Sequence, residues 1–320
     1  MLFLEKFLFP DMEEDMIYDD LRGSFHNEDC YPFHIMSEKR LWSLDFEPIT
    51  ILYGGNGSGK STILNVISEK LHAERNSRYN SSPHFEEYVD RWQYKTAGEF
   101  VGEARYHERR RKGEKNKHDL SSMTTVLTSD DIFDSMLNLR RDNERKMQKS
   151  RFLTDEYQAF RNTGGSANLP KHLNLETGYN VEEFRAGVDM LKAARHRGGS
   201  LNKILLDKVG KMERGYSNGE TALIRLSELL EQPGLYLLDE PENSMSCEFQ
   251  MRLASIIEYL ARYGECQFII STHSPFILSM ANAKIYNLDN CPVDICNWWE
   301  LENMKHYFEL FYNARENFLK

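Results

Sequence analysis

The densest chemistry in the sequence is Gly54-Gly55-Asn56-Gly57-Ser58-Gly59-Lys60-Ser61-Thr62, which fits the spacing Gly-x-x-x-x-Gly-Lys-[Ser/Thr]. Glycines at these positions let successive backbone N–H groups point inward and form a concave nest for an anion. A helix starting at Lys60 adds the partial positive charge of its N-terminus. Lys60 is placed to reach the β- and γ-phosphates of a nucleotide, and Ser61 to offer its hydroxyl to Mg²⁺. The blander alternative is a flexible glycine loop.

Three further groups bear on the same chemistry. Leu237-Leu238-Asp239-Glu240-Pro241 closes an apolar run. Carboxylates at the end of such a run are costly unless they serve a cation. Asp239 is therefore expected to hold Mg²⁺, through water, and Glu240 to polarise an attacking water. Ser271-Thr272-His273-Ser274-Pro275 closes the next apolar run, and His273 is expected at the γ-phosphate. A lone histidine at a strand end is often structural, so its reading rests on the company of the other motifs. Tyr216-Ser217-Asn218-Gly219-Glu220 precedes an apolar helix through Ala222, Leu223, Leu226, Leu229 and Leu230. A serine there also serves as an ordinary helix cap.

These residues need a frame of strands and helices to bring them together. Ile49–Tyr53 reads as a short strand, and Ser61–Leu71 repeats apolar residues at helical spacing. Leu235–Leu238 and Gln267–Ile270 read as central strands covered on both faces, with a helix over Phe249–Tyr263 between them. Strand, helix, strand is a crossover unit of a parallel sheet. The N-terminal Met1–Pro10 reads as a strand, Lys284–Leu288 as another, and Trp298–Lys320 as an aromatic-rich helix. The stretch from Asn76 to Arg214 is polar and charged, with Arg109–Lys112, the mixed run Arg140–Arg151 and an amphipathic helix over Val181–Arg197. Loop-like segments lie at Thr163–Ser166 and Gly198–Ser200.

Composition narrows the class. The chain has 320 residues and a formal net charge of −10, an acid excess that argues against a surface coated for nucleic acid while leaving room for a local basic patch. Five cysteines, an odd number without Cys-x-x-Cys, read as reduced thiols and place the chain in the cytoplasm. Cys291 and Cys296 alone make a thin metal site. No run approaches the roughly 18–20 apolar residues of a membrane span, so no membrane insertion is expected.

Taken in order, Gly54–Ser61, Ser217–Glu220, Leu235–Glu240, the segment Glu242–Ser246 and His273 resemble an ATP-binding-cassette ATPase. The flavour is that of soluble members. Ser-x-Gly-Glu is similar to the RecF, SMC and OLD-like proteins, and Asp-Glu-Pro-Glu-Asn and Phe-Ile-Ile-Ser-Thr-His-Ser-Pro-Phe to small bacterial AAA-family ATPases. The resemblance implies an α/β P-loop NTPase with a mixed or parallel central sheet flanked by helices. Its core is split between 1–75 and 214–290, with a largely helical insertion at 76–213 and a helical tail at 291–320. It implies Mg²⁺-dependent ATP binding and hydrolysis. Lys60, Glu240 and His273 are the catalytic set, Gly54–Thr62 with Ser217, Gly219 and Glu220 bind nucleotide, and Ser61 and Asp239 bind the metal. It also implies a homodimer closing on ATP, with Ser217–Gly219 of one subunit meeting the P-loop of the other.

One departure concerns the glutamine that such ATPases carry after a strand of the first lobe. Here Thr124–Thr128 leads into Ser129-Asp130-Asp131 instead. Asp130 or Asp131 takes that place, or Gln93 does. The charged insertion reads as a solvated helix face, a nucleic-acid surface or a protein dock. Two rival functions stand beside the ATP-driven switch: a nucleotide-binding subunit of a membrane transporter and a non-hydrolysing ATP sensor. The first needs a transporter-type signature, and the second has no use for Glu240.

Overall fold

The computed structural model describes residues 2–10, 31–33, 35–96, 99–101, 120–162, 218–230, 233–243 and 245–318. In chain order its elements begin with β1 (Lys6–Leu8), α1 (Ile35–Glu38), β2 (Ser43–Asp45), β3 (Ile49–Tyr53), α2 (Lys60–Lys70) and α3 (Phe85–Asp90). There follow β4 (Gln93–Thr96), β5 (Glu99–Val101), β6 (Thr124–Thr128), α4 (Ser129–Asn162), α5 (Asn218–Leu229), β7 (Leu235–Asp239) and α6 (Cys247–Tyr263). The chain closes with β8 (Gln267–Ser271), α7 (Pro275–Leu278), β9 (Lys284–Asn287), β10 (Asp294–Cys296), α8 (Glu302–Asn313) and α9 (Arg315–Phe318).

The chain divides into two compact units, 1–134 with 217–320 and 135–216. The first unit holds two sheets. The larger runs β10-β9-β3-β8-β7-β6, and the smaller β2-β1-β4-β5. In the larger sheet β6, β7, β8, β3 and β9 are parallel and β10 is antiparallel to β9. This is the expected α/β architecture with a mixed central sheet. In the second unit the described residues, 135–162, are helical.

β3 and β8 are buried at every position, as strands flanked on both faces must be. The helical spacing read in α2 turns Ile63, Leu64, Val66 and Ile67 into the core. α6 does the same through Leu253, Ala254 and Ile257. Gln267, fully buried, accepts from the N–H groups of Phe3 and Leu4 at 2.7 and 2.9 Å and donates to Leu4 O at 2.8 Å. A buried amide with both ends satisfied ties the N-terminal segment to the start of β8.

β4 and β5 extend the smaller sheet and, among the described residues, β6 is the last strand of the larger one, so the chain keeps contributing strands to the first unit well past residue 76. The second compact unit starts at Ser135. Thr124–Thr128 is the strand read from the sequence, whereas β4 and β5, of four and three residues, carry few apolar side chains in charged surroundings. Arg109–Lys112, Val181–Arg197 and Ser217 lie outside the described residues. The run Arg140–Arg151 lies on α4, with Arg141, Asp142, Glu144 and Arg145 exposed. Among the described residues no helix is long and apolar enough to cross a membrane.

Candidate functional site

Register gathers the site. Thr128 pairs with Asp239, Asp239 with Ser271, and Ser271 with Leu52, so four parallel strands end at one level. Crevices outside the carboxyl ends of parallel strands are where such sheets bind ligands. β3 leaves that level into Gly54–Gly59, and β7 and β8 leave it into Glu240 and His273.

The loop has the shape its glycines permit. Gly57 and Gly59 hold φ of +77° and +97°, values that side chains rarely tolerate. A Cβ on Gly57 would meet nothing within 4 Å, so that side of the loop is open to a ligand. A Cβ on Gly54 would sit 2.5 Å from Ser58 Oγ, so the loop closes tightly on itself there. Ser58 Oγ is buried with no hydrogen-bond partner among the described residues. Asn56 is exposed at the tip.

Lys60 is buried, at 5% exposure, and its Nζ donates to Gly54 O at 2.8 Å and Gly55 O at 3.1 Å. Burial pulls its pKa below the ordinary lysine value, while Glu240, Asp239 and Asp289 act in the opposite sense. Ser61 Oγ donates to Asp239 Oδ1 at 3.2 Å, and Ser271 Oγ donates to the same oxygen. A hydroxyl and a carboxylate oxygen side by side form a hard donor pair that suits Mg²⁺, which completes its shell with phosphate oxygens and water. Among the described residues there is no cluster of three or more His, Cys, Asp or Glu that would hold a metal by itself.

Glu240 adopts φ of +47°, a left-handed backbone that costs a non-glycine residue about 1–2 kcal/mol. Its N–H is bound to Ser271 O at 3.0 Å, which holds the turn. The carboxylate is thereby aimed back over the sheet. Oε1 stands 3.3 Å from His273 Nε2 and 3.9 Å from Lys60 Nζ, and Oε2 accepts from Asn243 Nδ2 at 3.2 Å. Burial, and then Lys60, depress the pKa of His273 below the ordinary imidazole value, so the ring is neutral at neutral pH. His273 is followed by Ser274, whose Oγ accepts from Phe276 N and Ile277 N and caps α7 with Pro275 in its first turn. That cap fixes the turn that carries His273.

Lys60, Ser61, Asp239, Glu240 and His273 are therefore brought together from the ends of β3, β7 and β8. The buried hydroxyl of Thr62 accepts from Tyr31 at 3.2 Å. One step along a helix rotates a side chain by about 100°, so Ser61 and Thr62 point in different directions from the first turn of α2. Gly219 and Glu220 lie in the first turn of α5 as the motif implied, and Ser217 lies outside the described residues. Of the candidates for the missing glutamine, Gln93 is on β4 in the smaller sheet. Asp131 accepts from Thr128 N at 2.9 Å, Thr128 Oγ1 at 2.8 Å and Ser77 Oγ at 3.1 Å, tying down the start of α4.

Four residues escaped the sequence reading. Ser271 and Asn243 hold Asp239 and Glu240. Glu242, buried at 8% exposure, accepts through Oε1 from Thr272 Oγ1 and from His273 N at 3.1 Å. Asp289 accepts from Gly55 N at 2.7 Å. The signal for the first three was present, since all lie within the motifs already singled out. Asp289 closes Ala283-Lys-Ile-Tyr-Asn-Leu-Asp289, a segment similar to one in the small bacterial ATPases, but its partner is 234 residues away and no role follows from the segment alone.

Burial raises the Glu242 pKa above its ordinary 4.5 against the lowering effect of its hydrogen bonds. The folded state then holds a proton that the unfolded state releases. Stability from this group is complete below 4.5 and is lost as pH rises through the raised value. Glu242→Gln keeps an acceptor for Thr272 and His273 and removes the titration. Melting temperatures of wild type and variant between pH 4 and 8 are expected to converge at the acid end, with the variant the more stable at neutral pH. Parallel curves across that range would contradict this assignment.

Residues 207–279 match the family model described as "AAA domain, putative AbiEii toxin, Type IV TA system". No curated protein matches the sequence. Similar solved structures include the Smc head domain with an extended coiled coil bound to the C-terminal domain of ScpA from Pyrococcus furiosus. That likeness has 13% identity and a TM-score of 0.37, and covers 84% of this chain and 94% of that one. The SmcHead bound to the C-winged helix domain of ScpA is 18% identical over 82% of this chain and 94% of that one, with a TM-score of 0.38. A nucleotide-free ATP-binding cassette from an ABC transporter is 15% identical over 77% and 79%, with a TM-score of 0.33.

Proposed function

We propose that this chain, an α/β P-loop ATPase of the ATP-binding-cassette type, binds Mg-ATP on Gly54–Ser61 and hydrolyses it in a dimer that closes on nucleotide. The observation that carries the reading is the convergence of Lys60, Ser61, Asp239, Glu240 and His273 from the ends of three strands. Phosphoryl transfer asks a protein for positioning and charge stabilisation more than for covalent chemistry.

The division of labour follows from the geometry. Backbone N–H groups of the loop and the α2 N-terminus cradle the phosphates. Lys60 exchanges its two backbone carbonyls for phosphate oxygens, an exchange that a flexible four-carbon stem permits. Ser61 and Asp239 hold Mg²⁺, which when bound neutralises phosphate charge. Glu240 accepts a proton from, or orients, the attacking water, and Asn243 fixes the rotation of its carboxylate. Neutral His273 is able to donate one hydrogen bond to a phosphate oxygen. Gly219, in the first turn of α5, and Ser217, which precedes that helix in sequence, serve the site of a second copy, so a lone subunit turns over slowly.

The dimer is the switch, and the segment from α4 through the second compact unit is its output toward DNA or a partner protein. The charged α4 run is compatible with either. A cytoplasmic setting fits the reduced cysteines.

Complementation tests the shared site. Ser217→Arg and Lys60→Ala chains are each expected to hydrolyse ATP at no more than a few per cent of the wild-type rate. Mixed at equal amounts they should recover about a quarter or more, because one composite site in each heterodimer has both intact halves. Unchanged turnover in Ser217→Arg, or no recovery on mixing, would remove the shared site. Adding duplex DNA to the same assay distinguishes a DNA output, which stimulates turnover, from a protein one, which does not.

A further inference from the structure

The peptide unit between Gly54 and Gly55 is held from both ends. Its carbonyl accepts from Lys60 Nζ at 2.8 Å, and its N–H donates to Asp289 Oδ1 at 2.7 Å. Rotating this unit changes ψ of Gly54 and φ of Gly55, and glycine on both sides makes it the most easily flipped peptide of the loop. Neither residue has a positive φ as it stands. A flip would drive a carbonyl oxygen to where an N–H now points, which reverses the local dipole beside the phosphate cradle.

Asp289 arrives there by register. β9 lies parallel to β3 with Asn287 opposite Tyr53, and Leu288 N donates to Tyr53 O at 2.7 Å. Continuing that offset places Asp289 opposite Gly55. The position is fixed on the β9 side as well. Lys39 Nζ donates to Leu288 O at 2.6 Å, and Asp289 N donates to Asn287 Oδ1 at 3.1 Å. The carboxylate also lies 3.2 Å from where a Gly54 Cβ would be, so it packs against the first turn of the loop.

We propose that Asp289 is a positioning residue of the phosphate loop, whose carboxylate locks the Gly54–Gly55 peptide in the orientation that binds ATP. The role is sharpest when Lys60 turns to phosphate and leaves the Gly54 carbonyl, because Asp289 is then the remaining side-chain bond to that peptide. This inference rests on the nucleotide reading of the site, and one of its two tests does not involve nucleotide.

The first test is hydrogen exchange, read by mass spectrometry over the segment 53–60, in the full chain and in Asp289→Ala and Asp289→Asn. A charge-assisted bond to a backbone N–H is among the stronger ones. Its loss in Asp289→Ala is expected to speed exchange of the loop about tenfold, while Asp289→Asn, which keeps an oxygen acceptor, stays within about threefold of wild type. The second is affinity for a fluorescent ATP analogue with Mg²⁺. It should weaken about tenfold in Asp289→Ala and no more than about threefold in Asp289→Asn, with melting temperatures unchanged. Equal exchange in wild type and Asp289→Ala overturns the proposal. So does an Asp289→Asn chain as impaired as Asp289→Ala, since charge and not the acceptor would then be what matters. A wild type that fails to bind the analogue refutes the nucleotide reading and leaves the exchange result to decide the role of Asp289.

Discussion

Glu240→Gln is expected to bind Mg-ATP as tightly as wild type and to lose about 10²–10⁴-fold in turnover, the range a positioned general base supplies. The substitution is nearly isosteric, so Oε1 and its neighbours His273 and Lys60 keep their places. What it removes is the capacity to accept a proton from water or to orient one by charge. It also removes a negative charge within 4 Å of Lys60, which frees the lysine for phosphate and leaves affinity equal or better. Slow hydrolysis with intact binding traps the closed state, so the variant should shift to dimer mass in light scattering with Mg-ATP and remain at monomer mass without it. The left-handed backbone at Glu240 argues in the same direction. A conformation that costs a non-glycine residue about 1–2 kcal/mol persists where the surrounding bonds over-determine it. Here Ser271 and Asn243 hold it from two sides. Turnover unaffected by Glu240→Gln would remove Glu240 from the catalytic set, and ATP binding without turnover in the wild type would make the protein a non-hydrolysing nucleotide sensor. Mass unaffected by ATP in a variant that binds it would remove the closing dimer.

How much of this was legible from residues alone depends on sequence distance. Gly54–Ser61 and Leu235–Glu240 could be read because the chemistry and the elements that present it are contiguous: a strand, the polar residues at its end, and in the first case the helix that follows. The α/β class followed from the same units. What depended on pairing was hidden. That Ser271 faces Asp239 is a matter of one rung in the β7–β8 register, and that Asp289 meets Gly55 depends on β9 choosing β3 as its neighbour. No local pattern encodes either choice, because many apolar strands of this length are interchangeable as partners. Strands as short as Gln93–Thr96 and Glu99–Val101 carry too few apolar positions to stand out from charged surroundings. The buried carboxylate of Glu242 was in plain sight and went unassigned, since a glutamate after a proline reads as a surface turn.

Lys60→Ala should separate what the site costs the fold from what it gives the ligand. The ammonium group is nearly inaccessible to water, and its pKa is drawn down by that burial. In the native state it therefore releases its proton more readily than in the unfolded chain. Stability from this group is present above the ordinary 10.5 and falls away as pH drops through the depressed value, so at neutral pH a buried charge is being tolerated. Its two bonds to Gly54 O and Gly55 O, with the field of Glu240 and Asp239, offset that cost in part. Replacing it with alanine removes the buried charge together with those bonds. The expected net effect on the melting temperature at pH 7 is no more than a few degrees, with the alkaline rise in stability abolished. Nucleotide affinity should behave very differently. Two charge-assisted contacts to phosphate, at about 1.5 kcal/mol each, amount to roughly 10²-fold in Kd. Titration of the fluorescent ATP analogue against wild type and Lys60→Ala at constant Mg²⁺ measures the second quantity, and thermal unfolding from pH 7 to 11 the first. A variant that binds as wild type would show that Lys60 keeps its backbone carbonyls and never reaches phosphate. A variant that unfolds many degrees lower would show that its two loop bonds outweigh its desolvation, making it a structural strut of the loop before it is a ligand for ATP.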